Sequence, residues 1–346
     1  MFNSPYSYNH NKKSKLFKKN ILKSILFHKS KCEIFSSYLN NYSFSNKIRT
    51  LGDIPFIPVS AFKDFDLLSI KKEKIFKTIY SSGTTSNSPS KIYLDKKNSL
   101  DQIKTLYSIG SYDLGNKRIP MLIIDNENTI KNQNFYSART AGILGFSIFS
   151  SSRTYVLDNK MNINKKVLLQ FLNKYKNKKF IVFGFTYLLW KFFNSIKDKH
   201  IVNKFQNAFI IHGGGWKKLE HLNISNTDFK KYLIDKYKIK KISNYYGMVE
   251  QTGSIFIECK NGFFHTSNYN DLIIRDENLK ICKDGNKGIV QLLSTVPSSY
   301  PGNSLLTEDI GIIYGVDQCK CGKNGKFFKI EGRIEKSIIR GCSDVV

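Results

Sequence analysis

Residues 80–91 read YSSGTTSNSPSK. Ser81, Ser82, Thr84 and Thr85 offer hydroxyl donors, Gly83 lets a ligand approach the backbone, and Lys91 adds positive charge. A phosphate group asks for this combination. The stretch is not a Walker A loop, which needs GxxxxGK and then Ser or Thr leading into a helix. By composition alone, a flexible connector is the commoner explanation. Three other patches hold similar material. IIHGGGWKK (210–218) puts Gly213, Gly214 and Gly215 directly after an apolar run, YYGMVEQTGS (245–254) surrounds Glu250 with small and aromatic residues, and LLTEDIG (305–311) contains Asp309. His212, just before the glycines, reads as a pocket-wall residue or as a satisfied core histidine. ECKNGFFH (258–265) and Cys319-x-Cys321 supply two ligand pairs that can close a tetrahedral Cys₃His zinc site, although buried unligated cysteines produce the same spacing.

These patches need elements to hold them. MLIID (121–125), FIVFGF (180–185) and NAFIIHGGG (207–215) read as buried strands, with helices expected over 97–110, 163–178, 186–198 and 226–238. Buried strands alternating with helices imply an α/β layered fold with a largely parallel sheet, whose ligands sit in loops after the strands. KIFKTIY (74–80) and KIYLD (91–95) flank the hydroxyl loop as short strands. Beyond 254, IFIEC, DLIIR, KGIVQLLST and DIGIIYG are strands joined by turns, a smaller β-rich region. Lysines between apolar positions over 15–50 fit an amphipathic helix packed on the core, and IPFIPVSAFKDFDLL (54–68) is extended at its prolines and then helical. The division expected is 1–75 (helical segment packing on the core), 76–254 (α/β core) and 255–346 (small β-rich subdomain and tail).

Of the 346 residues, 41% are hydrophobic, which is enough for a substantial core and excludes global disorder. The formal charge of +28 suggests a nucleic-acid binder, but only seven of the 55 basic residues are arginine and they are spread along the chain. Readers of base edges lean on clustered arginine, so a composition bias explains the charge better and no specific nucleic acid is expected. A non-catalytic basic nucleic-acid-binding protein is the alternative from another class. No signal peptide is visible, and the most apolar stretch, Phe180–Trp190, is uncharged for only eleven residues, short of the roughly 20 of a membrane span. A cytoplasmic protein is expected.

Taken in order, IPFIPVSAFK, SSGTTSNSPSKIYLD, HGGGWKKL, YYGMVEQTGSIFIECKNGFFH and GRIEKSIIRGCSD resemble the acyl-protein synthetases, the LuxE-like family of the adenylate-forming superfamily, related to the phenylacetate–CoA ligases. The resemblance covers roughly 50–346. It implies the large N-terminal domain of an adenylate-forming enzyme, layered α/β subdomains plus a small β subdomain, without the C-terminal lid and its catalytic lysine. It implies a ligase that uses ATP and Mg²⁺ to activate a carboxylic acid, expected to be a fatty acid, as acyl-AMP and then passes the acyl group to a thiol. Ser81 to Lys91 would steady the leaving pyrophosphate, Gly213–Gly215 line the adenine pocket, and Tyr246, with Gly247 beside it, flank the ring. Glu250 would hold Mg²⁺, while Asp309 and Arg333 bind the ribose. Related proteins carry a zinc site that Cys259, His265, Cys319 and Cys321 match, expected to be structural Zn²⁺. Cys342, in RGCSDVV, stands where these synthetases accept the acyl group before a reductase partner takes it; a plain cysteine in a packed tail is the other reading. Coenzyme A, a carrier protein or a sugar amine in surface polysaccharide biosynthesis are the alternative acceptors. Ser86 and Val249 depart from the family pattern, which has glycine and often threonine there.

Overall fold

The computed structural model describes residues 4–42, 44–81, 89–131, 137–215 and 224–334. The chain forms two compact units, one discontinuous (Met1–Ile109 with Gly247–Val346) and one contiguous (Gly110–Tyr246).

The discontinuous unit opens with α1 (His10–Lys31) and α2 (Glu33–Asn41). Asn9 caps α1 by accepting from the Lys12 amide at 3.0 Å, and its lysines alternate with buried Phe17, Ile21 and Ile25. Strand β1 (Ile57–Pro58) leads into the single turn α3 (Ala61–Asp64). The hairpin strands β2 (Lys77–Tyr80) and β3 (Lys91–Leu94) pair antiparallel and precede α4 (Lys96–Leu114).

In the contiguous unit β4 (Ile119–Ile123), α5 (Asn128–Lys131), α6 (Ala138–Phe146), β5 (Ser150–Tyr155), α7 (Lys165–Lys174), β6 (Phe180–Phe185), α8 (Thr186–Ser195), α9 (Lys199–Val202), β7 (Ala208–Gly213), α10 (Asn226–Tyr237) and β8 (Lys241–Gly247) follow one another. The strands run parallel in the order β5-β4-β6-β7-β8. FIVFGF is buried at every position, as a central parallel strand must be. Leu122, Val182 and Ile210 meet Leu189, Phe193, Phe229 and Leu233 in one core. Ser225 and Asp228 form a capping box that starts α10. Strand β5 and helix α6 escape the sequence reading, because SSSRTY shows no apolar alternation and ARTAGILGF is short.

The chain then returns to the first unit with β9 (Ile255–Ile257), β10 (Phe264–His265), β11 (Asn270–Arg275), β12 (Lys287–Ser294), β13 (Ser304–Val316) and β14 (Lys326–Arg333). An antiparallel sheet forms in the order β10-β14-β13-β12-β11, with β1 parallel to the start of β13. The β-rich character expected beyond 254 is present. Asp271 on β11 is 1% exposed and lies 3.2 Å from Lys13 Nζ of α1 and 3.0 Å from Lys326 Nζ of β14. Burial raises the Asp271 pKa, but the two ammonium groups outweigh it and hold the carboxyl below the usual range. Burial pushes Lys13 down to about 8, so both partners are charged at neutral pH. The depressed carboxyl contributes stability above the unfolded Asp pKa and loses it as pH falls through the folded value. Asp271→Asn leaves two buried cations without counter-charge and is expected to cost about 3–5 kcal/mol, read as a lower denaturation midpoint.

Candidate active site and metal centre

The loop after β8 is fixed from several sides. Gly247 stands where a Cβ would meet the Ser254 carbonyl at 2.7 Å. Gln251 donates to the Gly302 and Leu292 carbonyls at 2.7 and 3.2 Å and accepts from Ser254. The Thr252 amide donates to the Tyr300 hydroxyl at 2.9 Å, and the Gly253 amide to Gln102 Oε1 at 2.6 Å. Glu250 rides on this scaffold, 8% exposed. Burial raises its pKa; its own amide, the Ser90 hydroxyl, Arg333 and Lys63 pull the other way without cancelling the rise. The result is a positioned, desolvated carboxylate, whose charge a bound cation would offset.

Ser90 belongs to the base of the hydroxyl loop. The Ser81 amide donates to the Ser90 carbonyl at 3.1 Å, and the Ser90 amide to Ser81 Oγ at 2.9 Å. This pair pins the ends of the loop, whereas Ser82, Gly83, Thr84 and Thr85 lie outside the described residues, as do Ser86 and Cys342. Lys91 is half-exposed, its Nζ 4.0 Å from Asp66 Oδ1, a surface pairing worth roughly 0–1 kcal/mol. Asp309 and Arg333 face each other in register on β13 and β14, Arg333 Nε 3.4 Å from Asp309 Oδ1. The charge of Lys63 also acts on Glu250, which the sequence does not suggest. Lys63 sits far from Glu250 in sequence, and its only signal was its place in IPFIPVSAFK.

In the contiguous unit Gly213 ends β7, and a Cβ there would lie 2.4 Å from the Tyr245 ring, so only glycine lets the ring pack. Tyr245 stacks on Phe183 at 6.1 Å and tilts against Phe146 at 4.8 Å. Strand alternation turns Tyr246 to the opposite face. Gly214 and Gly215 continue the turn. His212 faces the helix core with Phe229, ring centroids 5.0 Å apart. Thr186 Oγ1 lies 3.0 Å from His212 Nδ1 and donates to the Gly213 carbonyl at 3.2 Å. His212 Nε2 has no hydrogen-bond partner among the described residues. Burial pushes this imidazole down to about 3, so it stays neutral.

Cys259, His265, Cys319 and Cys321 bring their donor atoms within 4.8 Å of one another. Cys259 and Cys319 sulfurs are 4.0 Å apart, and Cys321 Sγ is 3.3 Å from His265 Nε2. Tight turns present the cysteines: the Gly262 amide donates to the Cys259 carbonyl at 2.9 Å and the Gly322 amide to the Cys319 carbonyl at 3.0 Å. The Asn261 side chain and the Lys323 amide donate to Cys319 and Cys321 at 3.6 and 3.4 Å. Burial pushes His265 down to about 3, so it presents a neutral imidazole. Three thiolates and one imidazole around Zn²⁺ carry one net negative charge, and Lys323, 2% exposed, supplies a buried counter-charge. The donor set fits zinc.

The family model for acyl-protein synthetase, LuxE, matches residues 1–346. The chain belongs to the LuxE acyl-protein synthetase family. This synthetase is 24% identical over 328 residues to the long-chain-fatty-acid–luciferin-component ligase of Aliivibrio fischeri, covering 89% of this chain and 82% of the relative. The ligase of the same name from Vibrio harveyi is 21% identical over 336 residues, covering 92% and 83%. An open conformation of 2-hydroxyisobutyryl-CoA ligase in complex with 2-HIB-AMP and CoA superimposes with a TM-score of 0.74 at 13% identity, covering 96% of this chain and 77% of that one. The ATP-bound RpMatB-BxBclM chimera B3 gives 0.51 at 14% identity, covering 76% and 49%. The fold is therefore that of the adenylate-forming enzymes' N-terminal domain, and the LuxE synthetase is an ATP-dependent acyl-activating ligase. No described helix is long and apolar enough to cross a membrane.

Proposed function

We propose that this synthetase activates a long-chain fatty acid and carries the acyl group on Cys342 before a partner protein receives it. A carboxylate oxygen attacks the α-phosphorus of ATP, the bond to the bridging oxygen breaks, and pyrophosphate leaves. The Cys342 thiol loses its proton to solvent, the thiolate attacks the acyl carbonyl carbon, the bond to AMP breaks, and AMP leaves. The observation that carries the reading is the buried Glu250 carboxylate, held on a hydrogen-bonded loop, with the charges of Arg333 and Lys63 acting on it. Glu250 would hold Mg²⁺, which would supply positive charge against the phosphates of ATP.

In this reading Ser81 and the loop through Thr85 grip the pyrophosphate, with Lys91 available because its tie to Asp66 is weak. Lys63 adds a cation near Glu250 that can offset phosphate charge. Gly213–Gly215 and Tyr246 take the adenine, and Asp309 and Arg333 the ribose. The division that goes with it makes 76–254 the α/β adenylate-forming core, 255–346 the small β region with the ribose pair, the zinc site and the acceptor tail, and 1–75 a segment packed on the core. The fatty-acid specificity is supported by the names of the two relatives.

The test is carboxylate-dependent ATP–pyrophosphate exchange with Mg²⁺. Exchange should appear with long-chain fatty acids; none across a panel of fatty and aromatic acids, from folded protein, would sink the proposal. Cys342→Ser should keep exchange and abolish the covalent acyl label. Label that survives the substitution removes the cysteine from the pathway.

A further inference from the structure

Strand β5 is the outermost strand of its sheet: β4 pairs with one edge, and among the described residues no strand pairs with the other. A groove of about 1010 Å³ runs along that free edge, lined by all of Ser150–Tyr155 and walled by α5 and the end of α6. Six residues of strand make it roughly 20 Å long. Edge strands are commonly protected by proline, lysine or a bulge. SSSRTY has neither proline nor lysine, in a chain whose basic residues are mostly lysine. Its one irregularity is an extra residue at Ser151–Ser152, after which Arg153–Tyr155 run in regular register with Met121–Ile123.

The charges are lopsided. Lys131 already pairs with Glu127 at 3.1 Å, whereas the exposed Arg118 and Arg153 have no ion-pair partner among the described residues. The Tyr155 hydroxyl, in the same lining, is buried and has no hydrogen-bond partner there. We propose that this groove docks an extended acidic segment of a partner protein, which adds a strand against Arg153–Tyr155 and places carboxylates on Arg118 and Arg153. A polypeptide edge matches alternating amides and carbonyls with its own. A nucleic acid does not: the outward carbonyls repel phosphate, and two arginines neutralise little of it. A second copy of this chain is disfavoured because each carries a formal charge of +28. The proposal is independent of the acyl-transfer chemistry, so either can fail alone.

The probe is a labelled peptide alternating glutamate with valine, titrated into the full chain by fluorescence anisotropy. Saturable binding tighter than about 1 mM is expected. The double variant R118E/R153E should weaken it by about tenfold or more, with folding and ATP–pyrophosphate exchange unchanged. Amide hydrogen exchange should slow within 150–155 when the peptide binds. No saturation, equal affinity in the double variant, or protection confined to other segments overturns the docking site. Equal competition by oligothymidine of the same charge reduces it to polyanion attraction, and a dimer that dissociates in the double variant assigns the edge to self-association; both overturn the proposal.

Discussion

Glu250→Gln is expected to lower Mg²⁺-dependent ATP–pyrophosphate exchange by about 10²–10³-fold. The substitution preserves shape, so the scaffold of Gln251, Thr252 and Gly253 around it should persist. It also makes a second, opposite prediction. Burial holds the folded-state pKa of Glu250 above its unfolded value. Such a group favours the folded state below the unfolded pKa, and that contribution is lost as pH rises through the folded value. At neutral pH without metal the ionised carboxylate is therefore a destabilising feature. Glu250→Gln should melt higher than the parent at neutral pH, and the difference should close on acidification. For the same reason Mg²⁺-dependent exchange should fall on acidification at a pH above the ordinary glutamate range. Measurements of exchange against Mg²⁺ and of melting against pH decide the matter. An unchanged Mg²⁺ response with full activity would remove Glu250 from the metal.

Loss of the cysteine–histidine centre should be felt in the fold. Zinc should be recovered at about one ion per chain, and Cys319→Ser or exhaustive chelation is expected to lower the melting midpoint by about 10 °C or more. The reason is local: His265 on β10 pairs with Phe327 on β14, and the shared site joins the turns that carry Cys259 and Cys319. Cobalt substitution offers a readout independent of activity, since thiolate-to-cobalt charge transfer reports sulfur ligation directly. A zinc-free chain with parental stability and no cobalt spectrum would refute the centre.

The sequence was most legible where one physical demand dominated. FIVFGF was readable as a buried strand because every position is apolar, and its limits agree with β6. The expected helix at 226–238 agrees with α10 to within a residue, helped by Ser225 and Asp228. The cysteine–histidine cluster was visible because cysteine and histidine are rare and paired. Strand β5 was invisible for the reason that makes its edge of interest: an outermost strand with polar side chains leaves no period to read. His212 was left open between pocket and core. Its face is set by the pairing of β7, which places Gly213 against Tyr245 and turns His212 toward Phe229. Lys63 needed contact information across the chain that no local pattern contains.

The clasp of Lys13, Asp271 and Lys326 also orders events on the ribosome. Synthesis proceeds at about 5–20 residues per second, so the first helix waits roughly 10–50 s for its counter-charge. The contiguous unit, Gly110–Tyr246, is complete before Asp271 is made and can fold first. The discontinuous unit cannot close until its second half emerges. In the interval Phe17, Ile21 and Ile25, buried in the finished fold, wait for the second half of their unit to be made.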